Sequence, residues 1–281
     1  MKSLGRPIVL LIGIVLGGGT VAGISSLGSS TDSTDGTKTN DVINGKSAAA
    51  SSHAERLEEV MALINSKKSR SFSLSSSGDA SVARLKDVNN LQAISLNNSR
   101  ITDVGLQSIG HIERVQSLSL GNTKVTSDGL SNLSAWTTLR DLSLNNTRID
   151  GRGLAFLAAN HDLEDLSLLY TRIGDADMSV IEQFPKLRYL ALSGTSITDA
   201  ALESIAKLTD LEEVRLNDTR ITDEGIKHLA ALPKLQVLSI EKTGVTDESV
   251  KTLESFPALT RLNRKGSGIT QAVKLKGASQ E

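Results

Sequence analysis

Few residues of this 281-residue chain have the type and spacing to do chemistry, and their arrangement argues against most kinds of it. Cysteine is absent, which removes thiolate metal sites, cysteine nucleophiles and disulfides together. The four histidines, His53, His111, His161 and His228, stand at unrelated offsets and form no ligand set of metal-binding spacing. They read as surface histidines. Serine does recur, with Ser95, Ser119, Ser143, Ser167 and Ser239 in a column interrupted by Ala191 and Arg215. A serine nucleophile needs a base within hydrogen-bond reach, and no histidine keeps register with this column. The chain is therefore expected not to be an enzyme, and no cofactor or metal is implied.

Three other features have the chemistry of binding. The first is a basic column, Arg100, Lys124, Arg148, Arg172 and Arg220. Neighbouring strands of a parallel sheet lie about 4.8 Å apart, so on such a sheet these charges would stack into a stripe suited to an acidic polymer or acidic protein face. Against this, Arg100, Arg172 and Arg220 each precede an Asp by three residues, and local neutralisation is the expected outcome. The second is a polar strip, Asn97-Asn98, Asn145-Asn146 and Asn217-Asp218, whose amides could bind sugar or peptide backbone but are also turn formers. The third breaks that strip. Leu169 and Tyr170 stand where other units carry mainly Asn, Gly or Ser, and Tyr189 falls between Asp165 and Glu213 with Arg215 close by. These are the chain's two tyrosines. Strand geometry would set them roughly 15 Å apart on one side of a sheet. Tyr and Arg are enriched at interface hot spots, so Leu169, Tyr170, Tyr189, Glu213 and Arg215 form the candidate partner-binding patch.

The columns exist because the chain repeats. Units open at Leu91, Val115, Leu139, Leu163, Leu187, Leu211, Leu235 and Leu259, each 24 residues after the last. A fixed period of this length marks a solenoid, in which each unit buries its faces only against its neighbours. Counting the opening residue as position one, apolar side chains recur at one, four, six and eleven, as in Leu91, Ile94, Leu96 and Ile101. They recur again at sixteen, nineteen and twenty-two, as in Leu106, Ile109 and Ile112. Each unit therefore reads as a short strand, a turn and a short helix. Trp136, Phe184 and Phe256 share position twenty-two and are assigned to the core. Asp at position thirteen (Asp103, Asp175, Asp199, Asp223, Asp247) is expected to cap the helix that follows. The glycine at position fifteen (Gly105, Gly129, Gly153, Gly225) fits a crowded helix start.

The stretches LQAISLNNS, VQSLSLGNT, LRDLSLNNT and LEEVRLNDT carry the pattern L-x-x-L-x-L-x-x-N/C, and the chain resembles the leucine-rich repeat family. The continuation I-T-D-x-G-L at Ile101–Leu106 looks like the cysteine-containing subtype, found in F-box substrate receptors and in bacterial leucine-rich repeat proteins. That resemblance implies an α/β leucine-rich repeat solenoid, with a curved parallel sheet on the concave side and short helices on the convex side. It also implies non-enzymatic recognition of a protein or peptide through the concave face. No F-box is recognisable, so a ubiquitin-ligase role is not carried over. Position nine departs from the family, being Ser or Thr from Ser99 to Ser267, and these hydroxyls are expected to relay hydrogen bonds to the turn backbone.

The ends differ from the repeats. Lys2 and Arg6 precede the apolar run Ile8–Leu16, so residues 1–24 read as a membrane anchor or a cleaved signal peptide. Ile8–Ile24 would span roughly 25 Å as a helix, slightly short of the hydrocarbon core. Residues 25–51 read as a flexible Ser/Thr-rich linker. Residues 52–90 read as an N-terminal cap opened by a capping box at Ser52 and an amphipathic helix. Residues 91–258 hold seven repeats. Residues 259–281 hold a degenerate last repeat, where Arg264 replaces a core leucine, and the C-terminal cap. A formal net charge of −1 gives no reason to expect nucleic acid. The expected protein is an extracytoplasmic scaffold, tethered to the cytoplasmic membrane by its N-terminal segment or secreted after cleavage. A structural envelope protein with no discrete ligand is the alternative.

Overall fold

A three-residue strand cannot bury a face alone; nine of them stacked in register can. The computed structural model describes residues 53–276. The expectations for residues 1–24 and 25–51, and for the cap at Ser52, lie outside these. The strands are β1 (Ser71–Ser73), β2 (Ala93–Ser95), β3 (Ser117–Ser119), β4 (Asp141–Ser143), β5 (Asp165–Ser167), β6 (Tyr189–Ala191), β7 (Glu213–Arg215), β8 (Val237–Ser239) and β9 (Arg261–Asn263). They form one parallel sheet in sequence order, and from β2 onward each residue faces its counterpart 24 residues on. The result is the α/β solenoid that the leucine-rich repeat resemblance implies.

Within a strand the middle residue points inward and its neighbours point out. Position four is buried throughout, from Ile94 to Leu238, while positions three and five line the outer face. Positions one, six and eleven close the same core, with Leu91, Leu96 and Ile101 fully buried. Burying each such side chain contributes about 1.5–3 kcal/mol. The opposite wall is made of short helical turns, α-helical at Asp103–Ile109, Asp199–Ile205 and Asp223–Leu229 and 3-10 at Gly129–Leu133. Apolar spacing of three suits both, because three residues make one 3-10 turn. Trp136, Phe184 and Phe256 are buried there, and the Trp136 indole N–H donates to the Gly110 carbonyl at 3.1 Å.

The position-thirteen aspartates do something other than cap their own helices. Asp103 is the first helical residue, and its N-cap is Thr102, whose hydroxyl accepts from the Val104 N–H. The Asp103 carboxylate instead reaches into the next unit and accepts from the Thr126 backbone N–H (2.8 Å) and hydroxyl (2.7 Å). Asp175, Asp199, Asp223 and Asp247 repeat this contact with Thr198, Thr222, Thr246 and Thr270. A residue already inside the helix lies beyond the N-cap, so its carboxylate is free to tie units together. The glycine two residues on belongs to the same device, since a Cβ at Gly225 would collide with the Asp199 carboxylate.

The position-nine hydroxyls act as expected. From Thr123 to Thr243 each donates to the carbonyl three residues back, at 2.5–2.7 Å. Ser99 differs: its Oγ is the one buried side-chain oxygen among the described residues with no partner.

At the N-terminal end, helix α1 (His53–Asn65) buries Leu57, Met61 and Ile64 and packs against β1. Ser71 pairs with Ala93, 22 residues on, so the unit beneath α1 is a repeat shortened by two. At the other end, β9 completes the sheet but no helix follows it among the described residues. The Arg264 guanidinium turns back to donate to the Ile269 carbonyl at 2.8 Å. Among the described residues no helix is long and apolar enough to cross a membrane.

Candidate functional site

The outer sheet face presents columns two, three and five, and their chemistry concentrates on β4 to β7. Column three runs Asp141, Asp165, Tyr189, Glu213 in direct register. Tyr189 and Arg215 lie on adjacent strands, and the Arg215 guanidinium carbon sits 5.3 Å from the Tyr189 ring centroid. The Arg215 Nε donates to Glu213 at 2.6 Å. The tyrosine face, the cation and the carboxylate are thus already assembled and half-buried, with their side chains fixed by one another. Burial raises the Tyr189 phenol above its ordinary pKa and keeps it a neutral hydrogen-bond donor.

A shallow hollow of about 110 Å³ opens beside Tyr189, lined by Ser119, Asp141, Ser143, Asp165 and Ser167. Burial, and then the Asp141 carboxyl on the neighbouring strand, push the Asp165 pKa up to about 7. Two carboxyls at strand spacing disfavour a second negative charge, so Asp165 holds its proton to near neutrality. Flanking it, column two forms an ion-pair ladder. Arg140 donates to Glu164 at 2.5 Å, Arg188 lies 3.9 Å from Glu164, and Arg188 grips Glu212 through both carboxylate oxygens at 2.6 and 2.7 Å.

Of the five residues expected to form the patch, the structure brings Tyr189, Glu213 and Arg215 together. Leu169 and Tyr170 stand apart from them, in the turn after β5. Tyr170 has φ of 54°, matching the left-handed backbone of Asn98, Asn122, Asn146 and Asp218 at the same corner. Its ring lies over Gly194, the corner of the next unit, and is 55% exposed. Gly194 has φ of +69°, and a Cβ there would strike that ring. The backbone favours glycine here, and the Tyr170 ring makes it necessary.

The first residue of each pair in the asparagine strip is taken up by the fold, while Asn98, Asn146 and Asp218 are exposed. Asn97, Asn145 and Asn217 accept from the backbone N–H of Gly121, Leu169 and Glu241 in the next turn, at 2.7–2.9 Å. The basic column behaves in the opposite way. Arg100, Lys124, Arg148, Arg172 and Arg220 are all exposed, and the expected local pairing is not made. No side chain of the five has an ion pair or hydrogen bond among the described residues. The reason is the aspartate ladder: the nearby carboxylates Asp103, Asp175 and Asp223 are drawn toward the threonines of the following units.

Three groups escaped the sequence reading. The Asp141–Asp165 pair and the column-two ladder were legible only as like and alternating charges at the repeat interval. Asn160 occupies a core position that is apolar in most units, yet it is fully buried. It accepts from the Leu139 N–H and donates to the Trp136 and Leu157 carbonyls, each at 2.9 Å. The histidines do not converge, and no cluster of metal-binding side chains occurs among the described residues.

The family model described as Leucine Rich repeat matches residues 89–110, 185–206 and 207–230. No curated protein sequence matches the chain. Among solved structures, an internalin C2 of Listeria monocytogenes str. 4b F2365 is similar at 24% identity and TM-score 0.52, over 68% of this chain and 80% of that one. An internalin (inlF) of the same organism is similar at 21% identity and TM-score 0.54, over 71% of this chain and 62% of that one. A TDR receptor is similar at 16% identity and TM-score 0.51, over 70% of this chain but 34% of that one. The chain thus spans less than two thirds of the latter two. At these identities the likeness establishes the architecture alone.

Proposed function

Because this chain is a leucine-rich repeat protein, whose fold typically serves protein–protein interaction, we propose that it is a non-enzymatic scaffold recognising a protein or peptide through its concave sheet face. The observation that carries the reading is the assembled Tyr189–Arg215–Glu213 cluster beside the Asp141–Asp165 hollow. Side chains held before a partner arrives lose less conformational entropy on binding, and Tyr and Arg are the types enriched at hot spots. The small, partly exposed Ser119, Ser143 and Ser167 beside the cluster leave the face open. The proposal extends to location: an exported protein, tethered by residues 1–24, supported by the positive end and apolar run of that segment.

Selection of a random peptide library on the full chain tests the binding reading. Enriched peptides should lose about 30-fold or more in affinity for the Tyr189→Ala, Arg215→Ala double variant, as hot-spot removal does. Peptides that bind the variant equally well would place recognition elsewhere, and the absence of any enriched peptide would favour a structural scaffold. Mass determination of the native N-terminus, in membrane and soluble fractions, tests the tether. An intact Met1 region in the membrane supports it, and a shortened soluble chain sinks it.

A further inference from the structure

The edge of the sheet formed by the turns carries cations that the sheet-face site does not use. Arg100, Lys124, Arg148, Arg172 and Arg220 are exposed and have no side-chain partner among the described residues. Their backbone is nonetheless rigid. The N–H groups of Lys124, Arg172 and Arg220 donate to the position-eleven carbonyls of Ile101, Ile149 and Ile197 in the preceding units, at 2.9–3.2 Å. The charges therefore recur at strand spacing, about 4.8 Å, and from Arg100 to Arg220 the column runs about 24 Å. It is interrupted at Ser196, two residues from Gly194, where the exposed Tyr170 ring lies. A large aromatic residue held in a left-handed corner, where Asn or Gly is the easy choice, is a local cost with no packing return in the core.

We infer that this edge docks an α-helix of a partner protein that presents one carboxylate per turn along a single face, with Tyr170 as the apolar anchor where the column is interrupted, between Arg172 and Arg220. Pitch is the deciding argument. Five helical turns advance about 27 Å, which flexible arginines can reach from a 24 Å column. Alternate side chains of an extended peptide advance about 6.7 Å each, or about 34 Å over five steps, and run off the column. Four of the five cations are arginines, whose planar fork matches a carboxylate. The aspartate ladder lies close by, so attraction for a diffuse polyanion is weakened at long range while short, directional pairs remain. A single-stranded nucleic acid would use successive aromatic platforms, and this edge offers one.

The probe is a fluorescein-labelled, lactam-stapled synthetic helix of five turns with glutamates along one face. Its control is an isomer of identical composition with the glutamates spread around the helix. Fluorescence anisotropy on the full chain should show the one-faced helix binding about tenfold tighter than the isomer, with the difference fading as salt rises. Arg148→Gln with Arg172→Gln should weaken it about tenfold, and Tyr170→Asn should weaken it independently of salt. Tyr189→Ala and Arg215→Ala should leave it unchanged, which separates this surface from the sheet face. Equal binding of both helices, or no effect of the arginine variant, would overturn the inference. So would heparin or a single-stranded oligonucleotide binding more tightly than the one-faced helix through the same arginines.

Discussion

Replacing Asp165 with asparagine should stabilise the protein at neutral pH while changing little in acid. In the folded protein, burial and the Asp141 carboxyl raise the Asp165 pKa from 3.8 to about 7. Between those values the folded state holds a proton that the unfolded chain has released. Stability therefore falls as pH rises through this window and levels off above about pH 7. Asparagine stays neutral, lacks that slope, and can still donate to Asp141. A shift of about three units corresponds to at most about 4 kcal/mol. Asp165 is only half-buried, so solvent screening reduces the expected gain to about 1–2 kcal/mol. With a urea m-value of about 2–3 kcal/mol/M, the midpoint of the variant should exceed that of the wild type by about 0.5 M at pH 8 and converge with it near pH 4.5. Asp141→Asn should give a smaller gain, because it removes the neighbouring carboxylate but leaves the burial of Asp165 that is the larger cause, and the double variant should gain little over Asp165→Asn alone. A pH-independent offset, or a wild type that gains on the variant as pH rises, would refute the reasoning.

Two further perturbations test how the fold is held. Asn160→Leu restores the apolar pattern of the repeat yet should cost about 2–3 kcal/mol in urea denaturation, because the Leu139 N–H and the Trp136 carbonyl lose their buried partner. A neutral or stabilising outcome would mean that the pattern outweighs the hydrogen bonds. Gly194→Ala should cost about 2–3 kcal/mol, from its positive φ and the collision with the Tyr170 ring. In a Tyr170→Asn background the cost should fall to about 1 kcal/mol, and additivity of the two substitutions by thermal denaturation would disprove the stacking.

The unbroken 24-residue interval was enough to deduce the solenoid, the parallel register and the core, because each apolar position must meet its counterpart in the next unit. It also placed Tyr189 between Asp165 and Glu213, since parallel pairing at that interval aligns residues 24 apart. What a single unit's sequence does not reveal is which neighbour a polar side chain chooses. Asp103 stands where an aspartate commonly caps its own helix, yet its acceptors face Thr126, and only the stacked backbone brings that threonine within 2.8 Å. The same choice left Arg100, Arg172 and Arg220 without their expected partners. Tyr170 shows the complementary case. The sequence pattern set it on the same side of the sheet as Tyr189, but the left-handed corner that sends its ring over Gly194 belongs to the turn. Apolar side chains need only be buried, a condition that periodicity satisfies. Hydrogen bonds need a partner at a set distance and angle, and across a repeat boundary that geometry exists only once the units are stacked.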